Sequence, residues 1–254
     1  MKRLSMHPRL FVALGMLMVL CVLGGCWNPF SPLIAPIHGV STPPPTPSSA
    51  PGVLRLFEWC YNHKASAEYR EIFTDDYRFF FSPVDSAGAE YRGTPWTRED
   101  ELISTTQLFE GGSAEAAASS ISLTLDKNFK VDRDERHAST DPLGRAHKNI
   151  RTQVLLNIRT SDGNAIDISG AANFYFVRGD SALIPQELKD RNFGPDSTRW
   201  YIQRWDDETA QPGAGAFASL PASRSRVLGS TAPVNLSWGT VKSFFRQQAT
   251  AARR

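Results

Sequence analysis

The chain has 254 residues, 41% hydrophobic and 21% charged, with 28 Lys and Arg against 26 Asp and Glu. A net charge of +2 provides no concentrated basic face. It therefore excludes a nucleic-acid binder that works by displacing counterions from phosphate. The length allows one large domain or two small ones, but the chain averages hide an N-terminal stretch that differs in kind from the rest.

Lys2, Arg3 and Arg9 form a short basic segment, and Leu10–Leu23 is apolar throughout. This run of 14 residues is shorter than the roughly 20 that a spanning helix needs, and it suits the core of a secretion signal. It ends in Leu23-Gly24-Gly25-Cys26, which resembles the lipobox of bacterial lipoproteins. The resemblance implies a signal peptide over 1–25, cleavage before Cys26 and acylation of the Cys26 thiol. An uncleaved apolar anchor, or a plain signal peptide with an incidental Cys, is the alternative. Two or three acyl chains hold a protein stably on a membrane where one does so marginally. The residue after the cysteine is Trp27 rather than an aspartate. Among lipoproteins this favours the outer membrane where the cell has one, so the expected location is the cell envelope.

Of the three cysteines, Cys21 goes with the signal and Cys26 with the lipid. Cys60 is left alone and cannot form an internal disulfide. No Lys, Arg, Asp or Glu lies between Arg9 and Arg55. Residues 26–51, rich in proline, read as a semi-rigid tether rising about 3.1 Å per residue when extended. Removing the three basic residues of the signal takes the net charge from +2 to −1.

The periodicity then changes. Val53, Leu56, Phe57, Cys60 and Tyr61 predict an amphipathic helix over 52–63, with Cys60 a core thiol on its apolar face. A second helix is expected over 66–73, ended by Thr74-Asp75-Asp76, with an aromatic strand at 77–81. A loop to Pro95 carries a short strand near Tyr91. Thr97 followed by Asp100 is a capping-box start for a helix over 98–110, stopped by Gly111-Gly112. Strands follow with period two. Ile121, Leu123 and Leu125 mark one, and Ile150, Val154, Leu156 and Ile158 the next. A hairpin turn at Ser161–Asn164 leads to a returning strand over 165–178, with a bend or bulge at Gly170. Residues 180–198 are an insertion, and a last strand runs over 199–205. The fold class is α+β, helices on one face of a curved, mostly antiparallel sheet.

The run Tyr69-Arg70-Glu71-Ile72-Phe73-Thr74-Asp75-Asp76-Tyr77-Arg78-Phe79, the helix opening at Trp96-Thr97-Arg98-Glu99-Asp100, and the closing Arg199-Trp200-Tyr201-Ile202-Gln203-Arg204-Trp205 carry a resemblance. Together with the element order, they resemble the NTF2-like superfamily, which includes SnoaL-type domains. The resemblance covers a domain over 52–207 and implies a cone: a sheet wrapped around helices, with a pocket at its wide end.

Enzymes of that superfamily use a few Asp, His, Tyr or Arg side chains in the cone, where burial can raise a carboxylate's pKa toward neutrality. The weak candidates here are Asp75, Asp76, His63 and Tyr77, and none forms a recognisable constellation. His137 and His147 flank a turn-rich loop and read as solvated, so no metal site and no cofactor is expected. Burial of apolar area places Ile150, Val154, Leu156, Ile158, Ile166, Ile168, Phe174 and Phe176 inside. It leaves Arg151, Gln153, Asn157, Arg159, Asp167, Ser169 and Asn173 on the outer face. The expected pocket lining is Trp59, Phe79, Phe81, Trp96, Phe174 and Trp200, open to a small apolar ligand or filled by its own side chains.

After Asp207 a low-complexity linker runs to 235, followed by a short amphipathic segment over 236–254. Trp238, Val241, Phe244 and Phe245 lie on one helical face that wants a groove. Docking on its own domain, on a protein partner or on a membrane surface are all open. The sequence therefore favours a lipid-anchored, non-catalytic domain that binds a ligand or protein. An enzyme of the dehydratase or isomerase type, using Asp75 or Asp76 with His63 or Tyr77, is one alternative. A scaffold for envelope assembly acting through the C-terminal peptide is the other.

Overall fold

The first helix starts where Ser49 can cap it. In the computed structural model, α1 spans Ala50–His63, and the Gly52 amide donates to Ser49 Oγ at 3.1 Å. It ends at Lys64, whose φ of 53° turns the chain out of the helix. Val53, Leu54, Leu56, Phe57, Cys60 and Tyr61 are buried along it. The structure describes residues 43–83, 85, 91, 95–111, 118–137, 140, 146–160, 163–179, 184–194, 198–209 and 234–251. Leu23–Cys26, read as a lipobox, the first part of the expected tether and most of the expected 208–235 linker lie outside the described residues. The described helices and strands all belong to one compact unit, Pro44–Arg254.

Helix α2 covers only Ser66–Arg70, because strand β1 already begins at Phe73 and runs to Phe80. Asp75 and Asp76 therefore lie within a strand, not at a helix-to-strand turn. They fit because the β1–β7 ladder shifts register between Phe73 and Arg78, which leaves both aspartates exposed between buried Phe73 and Tyr77. Tyr91 itself is not in a strand, and most residues around it, where a short strand is expected, lie outside those described; a two-residue strand, β2, runs over Trp96–Thr97, paired antiparallel with β1. Helix α3, Arg98–Glu110, opens with the full capping box of Thr97 and Asp100 and stops at Gly111, φ 71°.

The remaining strands are β3 (Ala118–Leu125), β4 (Asp132–Arg133), β5 (His147–Thr160), β6 (Ala165–Arg178), β7 (Trp200–Thr209) and β8 (Val234–Asn235). The sheet order is β2-β1-β7-β6-β5-β3, with β4 on β5 and β8 on β6. The ladders are antiparallel except β1–β7 and β6–β8, which are parallel. The sheet is thus no simple meander, since the first strand returns to lie beside the last long one. Helix α1 packs on β3, β5 and β7 together. In a flat sheet β3 and β7 would be about 14 Å apart, so one helix can touch both only because the sheet curls around it.

On β5, Ile150, Val154, Leu156 and Ile158 are buried and Arg151, Gln153 and Arg159 exposed, as the alternation requires. Leu155 breaks the polar face at 48% exposure. Gly170 adopts φ 143°, but its pairing with Val154 is continuous, and the bulge in the β6–β7 ladder falls at Tyr175–Phe176 instead. The described part of 180–198 holds helix α4, Gln186–Asp190, whose Leu188 joins Val177, Ile184 and Tyr201 in a small satellite core. The chain closes with α5, Trp238–Ala251, packed on α3. Among the described residues no helix is long and apolar enough to cross a membrane.

Candidate functional site

The four weak catalytic candidates do not converge. Asp75 is exposed, accepting from the Gln186 amide at 3.2 Å and Lys189 Nζ at 3.0 Å. Asp76 is exposed and accepts from Gln203 Nε2 at 2.9 Å. His63 lies outside at the end of α1, its ring stacked on half-buried Trp59 at 4.3 Å. Of the four, only Tyr77 points into the cone. The β1 register that exposes the two aspartates is the physical reason.

The pocket-lining aromatics largely converge, but on each other. Phe79, Trp96 and Phe174 are fully buried, Trp200 is nearly so, and Phe81 is half-buried against Tyr91 at 4.9 Å. At the centre sit two residues absent from the expected lining, Trp205 and Trp238, with ring centroids 4.4 Å apart, edge to face. Phe57 packs edge-on against both Phe174 and Trp205. Trp238 belongs to α5, so the chain's own C-terminal helix fills the interior. Burying such rings is worth several kcal/mol each.

The buried helix face differs from the expected one. Trp238, Val241, Lys242 and Phe245 are each 2% exposed or less, and Phe244 is only half-buried. A lysine thus occupies the core stripe. Its Nζ pairs with Glu101 on α3, lies 4.0 Å from the Trp205 ring centroid and 4.6 Å from that of Phe79. Glu101 also accepts from Tyr69 Oη at 2.7 Å, Thr105 Oγ1 at 3.1 Å and Tyr77 Oη at 3.4 Å. Burial pulls the Lys242 ammonium below its usual range, and Glu101 opposes that shift. Burial, then the Glu101 charge, pushes the Tyr69 and Tyr77 phenols well up. These hydroxyls are therefore donors to the carboxylate, not bases.

A second polar cluster holds the start of α5. Ser237 caps it, accepting from the Thr240 amide at 3.0 Å, while the Trp238 amide donates to Thr209 Oγ1 at 2.8 Å. The Gly239 amide donates to Asp207 Oδ2 at 2.8 Å. Asp85 accepts from Ser237 Oγ and from Thr240 Oγ1. Burial pushes the Asp207 carboxyl up to about 6, with nearby Asp85 adding to that, against the hydrogen bonds from Thr209 and Gly239. Two buried carboxylates at a helix N-terminus are matched to the positive end of its dipole.

Glu101 and Lys242 escape a reading of the sequence because each looks like a solvated residue on a short helix. The signal that could find them is spacing. Glu101, Ser104, Thr105 and Leu108 are all buried, and they repeat at i, i+3, i+4 and i+7, as do Trp238, Val241, Lys242 and Phe245. Each helix breaks its core stripe with a polar residue complementary to the other's.

His137 and His147 are not the solvated pair expected of a loop. Their rings stack at 3.9 Å beside the fully buried carboxylate of Asp134. Cys60 is a buried thiol, and burial pushes its pKa well up. A cleft of about 910 Å³ lies outside the cone. Its lining includes Arg70, Arg78, Arg98, Glu99 and Glu187. Arg98 is tied to Glu187 there at 2.6 Å.

No protein-family model matches the chain, and no curated protein does. Several solved structures are similar at low identity. A conserved protein from Planctomyces limnophilus DSM 3776 is 15% identical, with 62% of this chain and 91% of that one covered and a TM-score of 0.40. An NTF2-like superfamily protein from Salmonella enterica is 10% identical, with 65% and 90% covered and a TM-score of 0.38. A hexachlorocyclohexane dehydrochlorinase from Novosphingobium barchaimii LL02 is 10% identical, with 66% and 90% covered and a TM-score of 0.39. Nothing of their activities carries over to this chain at these levels.

Proposed function

We propose that this is a lipid-anchored envelope protein whose NTF2-like cone has been closed by its own C-terminal helix and serves as a non-catalytic binding module. The observation that carries this reading is the filled interior. Trp238 and Lys242 occupy the space among Phe57, Phe79 and Trp205 where a pocket ligand would sit. The one interior carboxylate bonded to Tyr77, Glu101, is held by an ammonium and three hydroxyls rather than left poised for proton abstraction. Recognition then falls to the outer surface, on the β3–β5–β6 face around exposed Leu155 or in the arginine-lined cleft beside α3.

The anchor half of the proposal rests on Leu23-Gly24-Gly25-Cys26. It is tested by mass spectrometry of the mature N-terminus from a bacterial host. Acylated Cys26 as the first residue is the expected result. A retained Met1, or an unmodified Cys26, sinks it. The binding half is tested with a photo-crosslinker at Leu155 or in the cleft. Specific adducts are expected there, and none from a probe at buried Phe79. Turnover of hydrophobic ketones or halides by the intact protein, lost in Glu101→Gln, would reinstate the enzyme reading.

A further inference from the structure

We propose that Asp134, His137 and His147 form a binding site for a divalent transition cation of the zinc class. Three features of the fold bring them together. The β4–β5 ladder pairs Arg133 with Lys148, which sets the next residue, Asp134, across from His147 at the start of β5. The turn after β4 is closed by the His137 amide donating to the Asp134 carbonyl at 3.2 Å, which returns His137 over the same spot. One ligand atom from each residue can be chosen so that all three lie within 4.8 Å of one another. His137 Nε2 is 3.9 Å from Asp134 Oδ2.

The donors suit the ion. Two imidazole nitrogens and one carboxylate oxygen are a zinc-type set, leaving a position for water or a further ligand. Bonds of about 2.0–2.1 Å place tetrahedral donors about 3.3 Å apart. Reaching that needs a contraction of up to about 1.5 Å, toward which rotation of His137, the most exposed of the three, contributes. The Asp134 side chain is fully buried. Burial alone would raise its carboxyl, but Arg136 holds it below the usual range, so it is charged at neutral pH. Arg136 Nε reaches both carboxylate oxygens, at 3.0 and 3.1 Å, and its guanidinium lies over the Tyr175 ring. The Arg136 amide also donates to Oδ1 at 3.0 Å and Nη2 to Oδ2 at 2.7 Å, so of the carboxylate's about four lone-pair positions a cation would take the one left on Oδ2, the oxygen 3.9 Å from His137 Nε2. Arg133 donates to the His137 carbonyl at 2.6 Å and pins the turn.

The test uses the full-length chain in detergent, with Zn²⁺ and Co²⁺ as probes. One equivalent of metal should bind, and Co²⁺ should show the intense d–d absorption of a tetrahedral site. His137→Ala and His147→Ala should each weaken binding at least about tenfold, since even loss of an outer-shell partner costs that much. The His38→Ala/His63→Ala variant should bind as the parent does. A parent that binds no more metal than the His137→Ala/His147→Ala variant overturns the site. Should that variant fail to fold, the parent still decides by NMR of its histidine ring nitrogens. Two imidazoles must shift on adding Zn²⁺ while that of His63 stays still. Unmoved His137 and His147 signals at saturating Zn²⁺ overturn the site as well.

Discussion

Replacing Lys242 with methionine removes the cation from a site where its side chain is 3% exposed and its partner Glu101 is 0% exposed. The isostere fits between Trp205 and Phe79, so packing is conserved, but Glu101 is left as a buried carboxylate with only hydroxyl donors. Breaking a buried pair from one side costs about 3–5 kcal/mol. The three hydroxyls keep this case near the lower end. Glu101→Gln strands the lysine among aromatic faces instead, at a similar cost. With both changes neither member of the pair is left as an unpartnered charge, and the introduced glutamine can still accept from Tyr69 and Thr105. The double variant should therefore lie within about 1 kcal/mol of the parent, giving a coupling energy of several kcal/mol. Urea unfolding followed by tryptophan fluorescence reads all four proteins, because Trp205 and Trp238 lie in the same cluster. Additive single effects, or a Lys242→Met cost below about 1 kcal/mol, would refute the seating of α5 in the cone.

Asp207 gives a second test through pH. Its carboxyl is raised from 3.8 to about 6, so the fold favours the protonated form. Its contribution is fully present below about pH 4 and is lost as pH rises through 6, amounting to about 3 kcal/mol at most. Asp207→Asn keeps an acceptor for the Gly239 amide, and its unfolding free energy should lack the parent's decline across that window. Parallel pH profiles for the two proteins would count against the burial of this group. Gly239→Ala should destabilise by about 1–3 kcal/mol, although alanine is the better helix former. The reason is that the added Cβ would lie 2.6 Å from both Asp85 Oδ2 and the Phe81 ring, and thermal unfolding reads the sign. Cys60 should resist alkylation by iodoacetamide in the native protein and react on denaturation, since it is buried with a raised pKa. Native labelling at the rate of a free thiol would contradict its place in the core.

What could be read from the residues was local. The capping box at Thr97, the stop at Gly111 and the alternation along β5 all involve neighbours within a few positions, and the structure shows each of them. The outward Arg151 and inward Leu156 follow from period two alone. The length of α2 did not follow, because Phe73 suits a helix face and a strand face equally. Pairing with β7, far along the chain, decided between them. The weak site candidates failed for the same reason: a register shift, not composition, turned Asp75 and Asp76 outward.

By itself the sequence determined the order of the main helices and long strands, the faces most of them bury and the apolar N-terminal segment ending in Leu23-Gly24-Gly25-Cys26, because those are properties of spacing along one chain. Only the tertiary structure decided what fills the cone and which polar residues matter. Glu101 and Lys242 are 141 positions apart, and each reads as surface until the other neutralises it. Asp134 and His147 likewise meet only through a strand register. A charged residue's free energy depends on its partner and its burial, and both are fixed by which elements pack together.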